Sequence, residues 1–319
     1  MTDEQLATVD PLAMNLIVAK GIPALSELNI ARYQVRVNAL VVDFSRRYLP
    51  SVEKYFHRDP QTFENDIRFF RLGMIQRYLE LEIGIEYNRD QRNAEHIWYI
   101  NPSDLFLNGL VDTRQGTCGN MAALHVAMAW RLQWPVSLAC VNNHFICRFD
   151  DGTVHYNTDA TPTGKGGFKS DPDDFLMKEF ELPAIAITCG SDLRALRPRE
   201  VLGAFVALRA RHCADVGKAQ NADDLVVATE PDWLLARHLF PKNRGIYKNH
   251  LAIATMFGDN LFDPDEQGHP NSYARMLQSL HKHQMVRPGD FQRRIAPIIH
   301  GEIASAAAEE FFFSLKVNQ

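Results

Sequence analysis

Gly116-Thr117-Cys118-Gly119-Asn120-Met121 is the stretch that decides how this chain is read. Downstream of Cys118, the residues Met121, Leu124, Met128 and Leu132 recur at helical spacing. The segment, Met121 to Trp130 above all, is therefore predicted as a helix with an apolar face. A cysteine at the first turn of such a helix sits in the field of unpaired backbone N–H groups, which favours thiolate and lowers the thiol pKa. Trp134-Pro135 ends the helix. Val136 to Val141 and His144 to Phe149 then read as strands, and Asp150-Asp151-Gly152 as the hairpin turn into Val154 to Asn157. His144 begins one arm of that hairpin, and Asp159 lies just past the other. A helix-start cysteine, a strand histidine and an acid after the next strand are the parts of a thiol nucleophile, its base and the group that orients the base.

Gly116-x-Cys118, His144-Phe145 and Asn157-Thr158-Asp159-Ala160-Thr161, in that order, resemble the core of the transglutaminase-like superfamily. The family order is cysteine, histidine-aromatic, aspartate, on a helix followed by an antiparallel sheet. The resemblance covers roughly residues 105 to 165, about a fifth of the chain. It implies an α+β fold of the papain/transglutaminase-like kind, a helix plus an antiparallel sheet. The implied chemistry is acyl transfer from an amide through a thioester on Cys118. His144 would act as base and later as acid, and Asp159 would hold the imidazole's tautomer. Water as acceptor makes a protease or amidase, and an amine makes a transglutaminase; the three residues do not choose between them. The backbone N–H of Cys118 is available for an oxyanion hole, with Gln115 or Asn120 as a second donor. No cofactor is implied. The reading from another class is a catalytically silent fold kept as a protein- or peptide-binding module, against which the complete Cys-His-Asp set argues.

Composition bounds the rest. The 319 residues are 46% hydrophobic and 23% charged, with net charge −5 and a pI near 6.2. That is an ordinary globular balance, long enough for two domains or one with a large extension. The acidic balance gives no reason to expect nucleic acid or an anionic membrane as partner. No apolar run approaches the roughly 20 residues that span a bilayer. The acidic start Met1-Thr2-Asp3-Glu4-Gln5 lacks a signal peptide's basic and apolar regions, so the expected compartment is the cytoplasm. The five cysteines, Cys118, Cys140, Cys147, Cys189 and Cys213, form no CxxC pair, which suggests neither a zinc site nor a disulfide framework. Cys140, Cys147 and Cys189 fall in apolar runs and read as small core residues.

In chain order the sequence divides into three parts. Residues 1–104 read as an N-terminal helical scaffold, with helices at Leu12 to Ala19, at 29–48 ended by Leu49-Pro50, and from Thr62 to Ile83 with Gly84 as C-cap. The irregular stretch 84–104 carries Tyr87, Trp98 and Tyr99, aromatics suited either to a substrate cleft or to covering the core. Residues 105–190 read as the catalytic core, opening with a short helix, Leu105 to Leu110. Pro162 to Gly167 is Gly-rich but lacks phosphate-loop spacing. Asp171-Pro172-Asp173-Asp174 caps a helix, Phe175 to Glu179, and Pro183 to Thr188 reads as a last strand. Residues 198–319 read as all-helical, with helices at Arg199 to Val216, Ala219 to Leu239 and Arg244 to Phe257. Their small residues and Pro241 resemble a tetratricopeptide unit, about one and a half repeats of it. Such helices after a transglutaminase-like core resemble a bacterial branch of the superfamily. They are the expected place for a protein partner, beside a peptide or protein substrate at Cys118. Ser272 to Gln284 and Phe291 to Phe313 read as tail helices ending in Phe311-Phe312-Phe313. Among the other histidines, His125 lies too far down its helix to reach the thiol, His155 is one strand over, and His281 and His283 are expected to face solvent.

Overall fold

The computed structural model describes residues 2–92, 94, 97–161, 171–247, 249 and 250. The Gly-rich stretch, the two tail helices with their phenylalanine cluster, His281 and His283, and the end of the helix expected at Arg244 to Phe257 lie outside the described residues.

The N-terminal part is helical: α1 Asp3–Ala7, α2 Pro11–Ala19, α3 Ile30–Asp43, α4 Leu49–Arg58 and α5 Ile67–Arg77. Asp10 caps α2 by accepting the Leu12 N–H at 2.9 Å, with Pro11 at the first position, where no N–H is needed. Leu49-Pro50 does not end the second helix as expected. A wide π-turn, Phe44–Tyr48, carries α3 straight into α4 and is closed by the Leu49 N–H on the Phe44 carbonyl. Pro50 then falls in the first turn of α4, where its missing donor costs nothing. The next helix starts at Ile67 rather than Thr62, because Glu64 and Asn65 take positive φ (56° and 59°) and Asp66 is the cap, accepting the Arg68 N–H at 2.8 Å. A second π-turn, Tyr78–Glu82, follows α5, and Gly84 at φ 77° lets the Ile85 N–H reach the Leu79 carbonyl, the C-cap role expected of it.

Two short strands, β1 Glu86–Tyr87 and β2 Gln115–Gly116, pair in parallel on either side of α6 Leu107–Thr113. Then come α7 Met121–Arg131 and an antiparallel sheet, β3 Val136–Val141, β4 His144–Asp150 and β5 His155–Thr158, in that order. Helix and strands match their sequence reading to within a residue or so. Asn142 and Asn143, at φ 48° and 70°, make the two-residue turn between β3 and β4 and set Val141 opposite His144. After α8 Asp173–Glu179 the strand expected at Pro183 to Thr188 is instead a helix, α9 Ala184–Thr188. A short apolar run fits either element. The free edge of β3 is taken a few residues later, where the N–H groups of Leu193 and Leu196 bond to the carbonyls of Cys140 and Leu138.

The chain continues as α10 Pro198–Ala219, α11 Asp223–Val227 and α12 Glu230–Leu239, with residues 244–247, 249 and 250 also helical. The single helix expected from Ala219 to Leu239 is thus two, broken by Asn221 at φ 53° and again before Pro231, which opens α12. One apolar core joins these parts. It includes Leu12 and Leu16 of α2, Val37 of α3, Phe70 of α5, Phe205 of α10 and Trp233 of α12, none more than 1% exposed. At its centre lies α7, buried from Met121 to Ala129. Each fully buried leucine or methionine there contributes on the order of 2 kcal/mol. Among the described residues no helix is long and apolar enough to cross a membrane.

Candidate active site

Cys118 stands in the turn that leads into α7, a turn made rigid by its own side chains. Thr117 accepts the Gly119 N–H on its hydroxyl at 3.2 Å, and its carbonyl accepts the N–H groups of Asn120 and Met121. The Thr117 hydroxyl in turn donates to the Asp104 carbonyl at 2.7 Å. Asn120 folds back to accept the Thr117 N–H at 2.9 Å. That fold-back needs Gly116, where a Cβ would come within 2.3 Å of Asn120 Oδ1. The sulfur bearer is half-buried, while Thr117, Gly119 and Asn120 around it are buried.

His144 is the first residue of β4 and reaches Asp159, just past β5, through Nε2 to Oδ2 at 2.8 Å. The two side chains are 18% and 22% exposed, enough cover to make their charges count. Asp159 is itself fixed, its Oδ1 accepting the N–H and the hydroxyl of Thr161 at 2.9 and 2.7 Å. The imidazole also acts on the Cys118 thiol, and each shifts the other's pKa toward its charged form. With Nε2 on the carboxylate, Nδ1 is the nitrogen left to face the sulfur. The Phe180 ring stacks on the imidazole, centroids 5.2 Å apart and planes 22° apart, and stops it turning. Of the three residues read from the sequence, His144 and Asp159 are therefore joined by a hydrogen bond, and Cys118 is near enough to the imidazole for each to shift the other's pKa.

The electrostatics follow from that order. Burial pushes the His144 pKa down, but the hydrogen bonds to Asp159 and Cys118 and the charges of both outweigh it and hold it above the ordinary imidazole value. Burial pushes the Cys118 thiol up, while the His144 hydrogen bond and charge, helped by a Tyr99 hydrogen bond, bring it below the ordinary thiol range. For Asp159, burial raises the pKa and the bonds to His144 and Thr161 lower it further than that, so it stays ionised. Both shifts lean toward a thiolate beside an imidazolium. The other half-exposed thiols, Cys189 and Cys213, have no such histidine partner among the described residues, and burial raises both.

The two amides expected at an oxyanion hole are spent elsewhere. Asn120 Nδ2 donates to the carbonyls of Ser103 and Phe106 at 3.0 and 3.2 Å, which uses both of its N–H groups, so that expectation is corrected. Gln115 Nε2 turns to Glu86 Oε1 at 3.3 Å. His125 is fully buried in α7 and its ring nitrogens have no partner among the described residues.

A cleft of about 420 Å³ opens at Cys118, lined by Trp98, Tyr99, Leu105 and Phe145 from one side and by Arg211 and Ile246 from the C-terminal helices. Of the aromatics of the 84–104 stretch, Trp98 and Tyr99 thus line a cleft while Tyr87 packs against the core, the two roles open to them from sequence. Four contributors to the site were not read from the sequence: the Tyr99 hydroxyl acting on the thiol's electrostatics, Phe180 on the imidazole, Arg211 in the cleft wall, and Gly245 behind the turn before His144. Their contacts are made across long stretches of chain, and no local pattern announces them. Among the described residues no cluster of His, Cys, Asp and Glu fits a metal ion.

A helix-borne thiol, an imidazole on the first residue of a strand and a carboxylate after the next strand define a cysteine-centred α+β fold. The family model of the transglutaminase-like superfamily matches residues 36–203, just over half of the chain, and the protein belongs to that superfamily. No curated protein matches it. Among solved structures, the chain is similar to the crystal structure of menin that reveals its binding site for the Mixed Lineage Leukemia (MLL) protein. Identity there is 12%, the match covers 97% of this chain and 89% of that one, and the TM-score is 0.35, a value from which a common fold does not follow.

Proposed function

We propose that the protein is a cysteine-dependent acyl transferase or hydrolase acting on an amide, with Cys118, His144 and Asp159 as its catalytic residues. The observation that carries this reading is the imidazole held by Asp159, Oδ2 at 2.8 Å from Nε2, with the Cys118 thiol near enough to share its electrostatics. In the proposed reaction the Cys118 thiolate adds to the amide carbonyl. His144 gives its proton to the departing nitrogen, the C–N bond breaks and a thioester remains on Cys118. His144, now neutral, takes a proton from water or from an incoming amine, which attacks the thioester; the C–S bond breaks and the thiolate leaves beside the restored imidazolium. Asp159 keeps the ring in one tautomer and balances its charge at each step. The donor is read as a peptide or protein carboxamide, entering through the apolar cleft beside Cys118. The division at 1–104, 105–190 and 198–319 belongs to this reading, with the last part a tetratricopeptide-like extension of a bacterial branch that supplies a wall of the cleft and a surface for a partner. A cytosolic setting, where thiols stay reduced, suits a thiolate nucleophile.

The test is the rate at which iodoacetamide alkylates Cys118 as a function of pH, read peptide by peptide by mass spectrometry, in the parent and in His144→Ala. The expected result is a rate already near its plateau at pH 6, lost in the variant. Cys189 and Cys213 serve as controls in the same molecule and should label only well above neutrality. A Cys118 rate that rises only above about pH 8 would remove the paired thiolate and with it the enzyme reading.

A further inference from the structure

An acyl transfer at Cys118 has a need that the three residues do not meet. As the C–S bond forms, the carbonyl oxygen gains a full negative charge, and that charge must find hydrogen-bond donors. One is at hand, since the backbone N–H of Cys118 bonds to no acceptor among the described residues. The side-chain amides on either side of it are engaged with Ser103, Phe106 and Glu86.

We propose that Tyr99 is the second donor, a further catalytic residue whose hydroxyl turns to the oxyanion as the thiolate attacks. This rests on the acyl-transfer reading above. Tyr99 lines the same cleft as Cys118, and the charge of the sulfur acts on its hydroxyl. An oxygen on the carbon that joins the sulfur is one bond further on, within reach of the same group. The exchange has a direction. A thiolate is a good acceptor, but once it is bonded to carbon the sulfur is a weak one, whereas the new alkoxide is strong. The bond to Tyr99 is therefore worth most in the transition state, which is the condition for it to raise the rate. The hydroxyl only donates and keeps its proton. Burial, with the Cys118 charge beside it, raises its pKa above the ordinary phenol value. Atoms and charge balance without it, since the electron pair of the carbonyl goes to the oxygen, returns as the C–N bond breaks, and the leaving nitrogen takes its proton from His144.

The position of Tyr99 is imposed by α10. The Asp215 carboxylate accepts the Tyr99 N–H at 3.2 Å, the ring of His212 meets the Tyr99 carbonyl through Nδ1 at 2.7 Å, and the Arg211 guanidinium lies 5.8 Å from the centre of the phenol ring. Three neighbouring residues of one helix thus hold both backbone groups and the ring of a single tyrosine. A residue that merely fills the cleft needs none of this.

Two reactions of the same thiolate separate this role from others. Alkylation by iodoacetamide is displacement at a saturated carbon and makes no oxyanion, while acylation by p-nitrophenyl acetate makes one. Both rates are measured at pH 8 on the full chain, parent and Tyr99→Phe. The variant is expected to lose about 30- to 300-fold in the p-nitrophenolate burst, with alkylation within about threefold of the parent, which also reports that it is folded. Equal losses in both reactions, or no loss in either, would overturn the proposal. A parent that alkylates as a thiolate yet gives no burst would instead overturn the acyl-transfer reading, and this proposal with it.

Discussion

The charge on the His144 imidazole is set by two anions, and they can be taken away one at a time. Asp159→Asn keeps a group of the same shape against Nε2 but removes the carboxylate that raises the pKa of the ring. With less imidazolium beside it, the thiol loses the hydrogen bond and charge that draw it below its ordinary range. Each unit by which the thiol pKa rises costs a factor of ten in thiolate on the acid side of its titration. The expected outcome is an alkylation rate of Cys118 at pH 6 at least about tenfold below the parent, with the two rates converging above pH 9. A profile in Asp159→Asn that superimposes on the parent's would show that the carboxylate only orients the ring. The burial of the pair works against the same charges, so the direction of both shifts is decided by partners and not by solvent.

At the scale of elements, His144 is aimed by the turn that precedes it, and that turn is gripped from the C-terminal side. Asp192 accepts the Asn142 N–H at 2.7 Å, Arg244 donates to Asn142 Oδ1 at 2.6 Å, and Gly245 packs against Asn143 so closely that a Cβ would stand 1.7 Å from Oδ1. Gly245→Ala is therefore expected to push the Asn142-Asn143 turn and swing His144 away from the sulfur. Misplacement by about 1 Å costs on the order of 10²-fold at a reacting centre. Alkylation at pH 6 should fall by a factor of that order or somewhat less, while the melting temperature and alkylation above pH 9 hold, and an unchanged rate at pH 6 would mean the turn does not aim the ring. This contact shows which parts of the site were legible beforehand. Cys118, His144 and Asp159 each stand at the start or end of an element that apolar periodicity or a turn signal reveals, and their order along the chain is their order in space. The grips are not legible in that way: Tyr99 meets Asp215 across 116 positions, and Asn142 meets Arg244 across 102. The elements misread were those where local rules compete. Pro50 reads as a stop but fits the first turn of a helix, and the apolar run at Pro183 to Thr188 fits strand and helix alike until a neighbouring segment has already taken the sheet edge.

For the molecule as a whole, the core that runs from α2 through α7 to α12 is a single body, and His125 is buried at its centre. Neither ring nitrogen has a partner among the described residues, and burial alone lowers its pKa from 6.5 to about 3. In the unfolded chain the same ring titrates at its ordinary value. Between those two values the unfolded state binds a proton that the folded state refuses, so the stabilising effect of a neutral His125 is whole above pH 6.5 and is lost as pH falls toward 3. From pH 7 to pH 5 this one site should lower stability by about 2 kcal/mol. Because α7 is shared by the N-terminal helices, the sheet and the C-terminal helices, that loss cannot be confined to one part. It should appear as a downward shift of one cooperative transition, about 3 °C for a chain of this size. His125→Leu removes the proton-binding group from both states and replaces an unpartnered N–H with apolar surface. It is expected to flatten the acid limb between pH 7 and pH 5 and to raise stability at pH 7 by about 1 kcal/mol. Calorimetry across that pH range decides the matter: a second transition that moves independently would divide the core, and an acid limb of the same slope in His125→Leu would assign the proton uptake to another group.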